Sequence, residues 1–544
     1  MEPFWNRSDL NGRLQLAAST GGSLTVIHDG GSDRRSWSDI YADAEVGARW
    51  FTKLGIGPGS VVLLAGDTTV DLVTAIESAW LVGAAVCVLG IPRRSAHRQT
   101  LKQRFNMIVA RCRPSCFLGS RDVLDFFSPS QPFPTRVLAI EDWITLIHRS
   151  DNCPEVASHI DPCSLAIIQP TSGTTGTPNL VAVPRQCLEA NHAAIRNRMQ
   201  INADDIFLSW LPLYHDMGLI GMLGITMMTG AHLILADPKL FSRSPAEWMR
   251  QCSKNGATIT AGPDFAYGIA ASLLTPSEQL DLATLRLVLN GSEPVNPESF
   301  SRFVEQAGLF GMPAAAAFPV YGLAEATLAV TFPDIGAGLT WDEVDRSSLE
   351  KGLAVPCLSG TTSMSRVTSL GTSLDGITIQ IVDSEGCELD DREIGEIVVS
   401  GDSITPGYFE EEPRDSGSWL YTGDLGYISN HELFVCGRSK DLIIVAGRNV
   451  YPYDLEGPVS MIPGIWRGHV AAFGTLRSGT ERAVIVAETQ VPSPSLLEAV
   501  REKAIAWCDV RPLVRLVEPH AIPRTTSGKI SRTLCRQLFE SGQL

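Results

Sequence analysis

Apolar residues in this chain come as short runs that stop at glycine, with helically spaced stretches between them. Val61-Val-Leu-Leu-Ala65 ends at Gly66, Ala84 to Leu89 is closed by Gly90-Ile-Pro92, and Asp71 to Val82 between them has helical spacing. A continuous apolar run suits a strand buried on both faces, as in a parallel sheet covered by helices. The pattern returns where Leu165-Ala-Ile-Ile168 leads into a Gly/Thr-rich loop and Leu285-Arg-Leu-Val-Leu289 leads into Asn290-Gly291. Strands feeding such loops predict α/β layers that bind ligands beyond the carboxyl ends of the strands.

From about Ile377 the texture changes to short strands with turn signals, such as Ile377 to Val382, Glu396 to Ser400 and Glu432 to Val435. This predicts a β-rich subdomain at about 370–437. A polar break, Arg438 to Asp441, precedes Leu442-Ile-Ile-Val445, and the residues beyond have their own strands and helices, including Pro494 to Trp507. Residues 1–437 therefore read as a large N-terminal portion and 440–544 as a small α+β domain, joined at a hinge near Lys440.

Met217 to Ala236 contains no Asp, Glu, Lys or Arg and is about long enough to span a bilayer. Four glycines (Gly218, Gly221, Gly224, Gly230) interrupt it, and Asp216 and Asp237 flank it. A buried glycine-faced helix followed by a strand at 231–235 is the expectation, with no membrane span. The N-terminus lacks the basic and apolar regions of a signal peptide, so a cytoplasmic setting is expected.

The 544 residues exceed one ordinary core, and the net charge of −16 disfavours a nucleic-acid partner. Twelve cysteines are scattered rather than paired. Cys112 and Cys116 lie close in sequence, but no second pair completes a zinc site.

Thr171-Ser-Gly-Thr-Thr-Gly-Thr-Pro178 follows the apolar run that ends at Ile168. Two glycines let successive N–H groups turn inward, a nest that holds phosphate oxygens. Alone, such a loop is more often an ordinary surface turn, and it is not a Walker A sequence. Further segments follow in order: Trp210 to Gly218, Tyr321-Gly-Leu-Ala-Glu-Ala-Thr327, Tyr421-Thr-Gly-Asp-Leu-Gly426, Gly437-Arg-Ser-Lys-Asp-Leu-Ile443 and Thr525 to Arg532. This succession resembles the adenylate-forming superfamily over nearly the whole chain. Within it, Leu211 to Ile220, Asn290-Gly-Ser-Glu-Pro-Val295 and Lys440 to Pro452 look most like the fatty acyl-AMP ligases.

The resemblance implies parallel αβ layers plus a small β-barrel in the N-terminal domain and a mobile C-terminal domain. It also implies activation of a carboxylic acid, a fatty acid by preference, as acyl-AMP with ATP and Mg2+. The acyl group then passes to the phosphopantetheine of an acyl carrier protein acting in trans, since no carrier domain fits after Arg536. Lys529 matches the lysine that bridges the acid and the α-phosphate, a task suited to a compact charge on a flexible stem. Glu325 would hold Mg2+, and Asp424 and Arg438 the ribose. Tyr321 would face adenine, with Gly322 permitting close backbone approach. Thr171, Ser172, Gly173, Thr174, Thr175 and Gly176 would cradle phosphate, and Asn290, Gly291 and Ser292 would line the pocket. His215 would sit near the acid, with a hydrogen-bonded core histidine as the alternative. Lys440 falls at the hinge. The stretch Thr331 to Ser369 resembles an insertion implicated in limiting domain rotation.

Two positions depart from the pattern. Asn179 stands where Lys or Arg is usual, and Pro170 where an aromatic or small polar residue is common. An acyl-CoA ligase, an amino- or aryl-acid adenylating enzyme and a non-catalytic nucleotide-binding protein remain open alternatives.

Overall fold

The computed structural model describes residues 9–90, 98–127, 136–149, 154–157, 159–171, 178–275, 278–357, 364–415, 417–445, 448–466, 468–477, 480–508, 510–525 and 529–544. Two mostly parallel sheets carry the N-terminal portion. One runs in the order Arg136–Ala139, Cys116–Gly119, Val61–Ala65, Ala85–Leu89, Leu165–Thr171, Asn179–Pro184, and only the last pair is antiparallel. The other runs Ala317–Pro319, Leu287–Asn290, Ile259–Gly262, Ile206–Ser209, His232–Ala236, Ser23–His28, Gly31–Ser36, ending in an antiparallel hairpin. Val61–Ala65 and Ala85–Leu89 are buried at every position, as their unbroken apolar runs require. The helix between them spans Val70–Leu81 and is capped by Thr69, whose hydroxyl accepts from the Leu72 N–H.

The expected glycine-faced helix begins differently. Met217–Gly224 is a π-helix, followed by a short α-helix, Ile225–Thr229, and the strand His232–Ala236. A π turn displaces carbonyls from the α-helical ladder. Here the Ile220 carbonyl bonds His192 Nε2 at 2.8 Å. Burial lowers the His192 pKa to about 3, so the ring is neutral and Nε2–H is the donor. Among the described residues no helix is long and apolar enough to cross a membrane.

The β-rich segment is an antiparallel meander, Ile377–Val382, Gly395–Gly401, Leu420–Ser429 and Glu432–Arg438. Leu370 and Gly371 exchange backbone hydrogen bonds with Leu433. These stitch a second sheet (Tyr321–Gly322, Ala329–Phe332, Thr372–Ser373) to its edge, giving a barrel-like closure.

Beyond Lys440, Val470–Arg477, Thr480–Glu488 and Leu513–Val517 form a sheet packed by helices Pro452–Ser460, Pro494–Cys508 and Arg532–Glu540. Its cores are its own: Ile443, Leu455, Ile485 and Val500 cluster together, and Phe473, Val486 and Cys535 form another cluster. Within 331–369, Trp341–Asp345 and Met364–Thr368 pair as antiparallel strands. Arg346 between them donates to the Trp507 carbonyl and lies 5.0 Å from that indole's centre. Every described cysteine is a free thiol, and Cys112 lies 3.9 Å from Cys87.

Candidate active site

A cavity of about 1330 Å3 opens where the sheet carrying Leu287–Asn290, the barrel-like segment and the C-terminal elements converge. At its polar end the motifs come together although they are far apart in sequence. Asp424 lies on the long strand Leu420–Ser429, opposite Arg438 in register. Its carboxylate accepts from Arg438 Nε at 2.9 Å through one oxygen and from the Tyr321 hydroxyl at 2.8 Å through the other. Each oxygen keeps a lone pair, so the group can still accept from a ligand diol. Asp424 raises the Arg438 pKa, and burial pushes the Tyr321 phenol well up, so both partners keep their protons.

Tyr321 is held by its strand neighbour. A Cβ on Gly322 would stand 1.9 Å from the Leu328 carbonyl oxygen, so only glycine permits this approach. Glu325 follows on the 3-10 turn Ala324–Ala326, and its Oε1 accepts from Tyr408 at 2.9 Å. Its backbone carbonyl accepts from both the N–H and the hydroxyl of Thr405. Asn179, which lowers the Tyr408 pKa and lines the same cavity, pairs with Thr171 across the adjacent strands. The departure from the expected cation thus places a neutral amide beside Tyr408, the partner of Glu325.

Lys529 lines the same cavity from the C-terminal side. Burial lowers its pKa, while Asp216 and Glu293 act in the opposite direction. Glu293 is itself raised by burial and accepts from the Phe265 N–H at 2.7 Å. Lys440 lines the cavity from the Ser439–Asp441 turn, its pKa lowered by burial and then by Arg438.

Of the remaining predicted residues, Thr171 and Ser292 line the cavity. Asn290 does not; it is fully buried, and its amide donates to Asp264 at 2.9 Å. Gly291 lies against Val320, behind the lining. His215, half-buried, stands edge-on to Tyr214 and does not line the cavity, and its carbonyl accepts from Leu219 in the π-helix. Ser172, Gly173, Thr174, Thr175 and Gly176 lie outside the described residues. Sequence reasoning assigned no role to Asp216, Glu293 or Tyr408. The first two sit inside motifs already quoted, but Tyr408 carries no local signal.

The arrangement brings a carboxylate with free lone pairs, a lysine and a second carboxylate that can serve as a hard oxygen ligand onto one cavity. The family model described as "AMP-binding enzyme" matches residues 14–409. The chain belongs to the AMP-binding enzymes. A long-chain-fatty-acid–AMP ligase, FadD26 of Mycobacterium marinum, is 33% identical to this AMP-binding enzyme over 552 residues, covering 94% of this chain and 92% of the relative. A solved structure from a study of fatty acyl-adenylate ligases of E. coli and L. pneumophila matches with TM-score 0.91 at 28% identity, covering 99% of both chains. A second, the L. pneumophila fatty acyl-adenylate ligase in complex with acyl adenylate and pyrophosphate, matches with TM-score 0.76 at 26% identity, covering 99% of this chain and 98% of that one.

Proposed function

We propose that this AMP-binding enzyme condenses a fatty acid with ATP to acyl-AMP and pyrophosphate. It then passes the acyl group to the phosphopantetheine thiol of a separate acyl carrier protein, in the cytoplasm where ATP is supplied. The observation that carries the reading is one cavity lined by Lys529, Glu325, Asp424 and Arg438, with apolar residues such as Met199, Met222 and Phe332 elsewhere on its wall. An acid carboxylate oxygen attacks the α-phosphorus, and the bond to the bridging oxygen breaks as pyrophosphate leaves. Two anions must meet, so positioning and charge neutralisation supply the catalysis.

Lys529 bridges the acid and the α-phosphate, and Asp424 with Arg438 fixes the ribose. Tyr321 borders the adenine, and Thr171 leads into the phosphate loop. Glu325 would hold Mg2+, which neutralises phosphate charge when bound. Among the described residues no group of three or more His, Cys, Asp or Glu is built for a metal. A lone carboxylate fits an ion held mostly by phosphate oxygens and water.

Lys440 serves as the hinge about which the C-terminal domain withdraws Lys529 to admit the thiol. The thiol sulfur then attacks the acyl carbon and AMP leaves. The hold of Arg346 on Trp507, with Glu350 3.6 Å from Arg448, supports a restrained rotation.

The test is pyrophosphate release with ATP, Mg2+ and a panel of fatty, aryl and amino acids, with and without CoA. Release with fatty acids, acyl-AMP accumulation and no thioester from CoA is the expected result. Rapid acyl-CoA formation would overturn the carrier step. Absence of release with every acid would overturn catalysis and favour a nucleotide-binding role.

A further inference from the structure

Two parts of the cavity wall differ in kind. Along helices Asp264–Leu273 and Pro297–Gly308 and the loop before the second, the lining interleaves the ionisable Asp264, Glu293, Glu298 and Arg302 with apolar residues such as Phe265 and Ile269. Between helix Arg185–Met199, the π-helix and strand Ala329–Phe332 it includes Ile195, Met199, Gly221, Met222, Leu328 and Phe332, none of them ionisable. An alkyl chain gains from leaving water only against apolar neighbours, and along the first wall it would lie against ionisable groups that it cannot hydrogen-bond. It therefore belongs in the second arm.

That arm is fixed on three sides. Asn191, fully buried, clamps Ala329 by donating to its carbonyl at 2.8 Å and accepting from its N–H at 3.1 Å. Arg198 donates to the carbonyls of Phe332 at 2.7 Å and Ser373 at 2.9 Å. His192 holds the π-helix through Ile220. Walls pinned by buried and half-buried hydrogen bonds do not dilate cheaply to admit a wider occupant.

Within this arm the π-helix comes close to Leu328 at Gly221, where a Cβ would stand 2.9 Å from Leu328 Cδ2. That is too short for an undisturbed contact, so a side chain at 221 must displace the Leu328 tip. We propose that the bare Gly221 facing Leu328 sets the length of acyl chain this enzyme accepts, keeping open the deep part of the arm toward Met199 and Phe332. The proposal rests on the fatty-acid reading above and adds to it a residue that selects the substrate.

The decisive variant is Gly221→Ala. The fold should tolerate it, since the obstructed atom is the end of a flexible side chain and alanine favours a helix more than glycine does. Pyrophosphate release would be measured with saturated acids from butanoate to hexadecanoate, in wild type, Gly221→Ala and Gly221→Ala/Leu328→Ala. The expected result is a drop of about tenfold or more in kcat/KM for long acids relative to short ones, the scale of a single methylene in an apolar pocket. The second substitution should restore the ratio. An equal loss at every length, or a ratio that Leu328→Ala does not restore, would overturn the proposal.

Displacement of cis-parinaric acid by the same acids reads the arm without turnover. A length shift in displacement, with no acyl-AMP from wild type, would support the arm and overturn the catalytic reading. No shift in displacement would overturn the arm, whatever the turnover.

Discussion

The two ends of the cavity are built by opposite means. At the polar end three groups, Tyr321, Asp424 and Arg438, are bonded to one another before any ligand arrives. A carboxylate whose neighbours are already oriented costs little to organise when it meets a ribose, and it discriminates by geometry. The apolar arm has no polar group to aim. Its selectivity comes from shape, enforced by hydrogen bonds that lie behind the lining at Asn191, Arg198 and His192. Damage to the polar end should therefore weaken all acids alike, and damage to the arm should sort them by length.

The largest expected effect is at the point where the ends meet. Lys529→Ala removes the cation that we propose neutralises both reacting anions. The adenylation rate should fall on the order of 10²–10³-fold, as for loss of a single oxyanion donor. ATP binding, followed by calorimetry, should change little, because Asp424, Arg438 and Tyr321 remain. Turnover near the wild-type rate would remove Lys529 from the mechanism.

Asp424→Ala tests the polar end itself. It removes two hydrogen bonds and leaves the buried Tyr321 hydroxyl without its acceptor. Loss of bonds to a charged group should raise the KM for ATP roughly 10- to 100-fold. The ratio of long-acid to short-acid kcat/KM should stay fixed. A shift in that ratio would mean that the two ends are coupled and the comparison fails.

The same contrast explains what the sequence made legible. The polar end depends on residue types with few substitutes, so Tyr321, Glu325, Asp424, Arg438 and Lys529 stand out within short motifs and can be named before the fold is known. The paired apolar runs likewise announce Val61–Ala65 and Ala85–Leu89, because a strand buried on both faces admits no other composition. Tyr408 and Asn191 were not legible. Each acts by reaching an element far along the chain, Glu325 and Ala329 respectively, and nothing local marks such a partner. The same reason hides the π-helix behind the expectation of an ordinary helix. Every position of Met217–Gly224 is apolar or glycine, so no periodicity separates a π-helix from an α-helix, and the His192 contact to it comes from another element. Asn290 stands inside a recognised motif yet is fully buried, its amide taken up by Asp264, since a motif fixes residue type and leaves side-chain direction to the packing.

A smaller effect concerns charge at the junction. Lys529 neutralises anions only while protonated, and its pKa is lowered by burial. Adenylation should therefore decline on the alkaline side earlier than an exposed lysine would dictate, as pH rises through that lowered value. Gly221→Ala should leave this limb of the pH–rate profile in place. Movement of the limb in that variant would show that the arm reaches the lysine.

The smallest expected effect lies in the wall that carries Asp264 and Glu293. Burial, and next the nearby Glu293, raises the Asp264 pKa to about 8. Unfolded, the same carboxyl would titrate near 3.8. Between these values the folded chain binds more protons at this site than the unfolded chain, so Asp264 makes stability fall as pH rises through the interval and level off above it. Asp264→Asn keeps an oxygen to accept from the Asn290 amide and the Asn296 N–H, both of which now bond a single carboxylate oxygen. Melting temperatures measured from pH 5 to pH 8 should fall less steeply in Asp264→Asn than in wild type, with the two curves closest at the acid end. Parallel curves would mean that Asp264 is already ionised in the fold. The wall beside the acyl arm would then carry a full negative charge next to Glu293, and the contrast between a charged side and an apolar side would be stronger still.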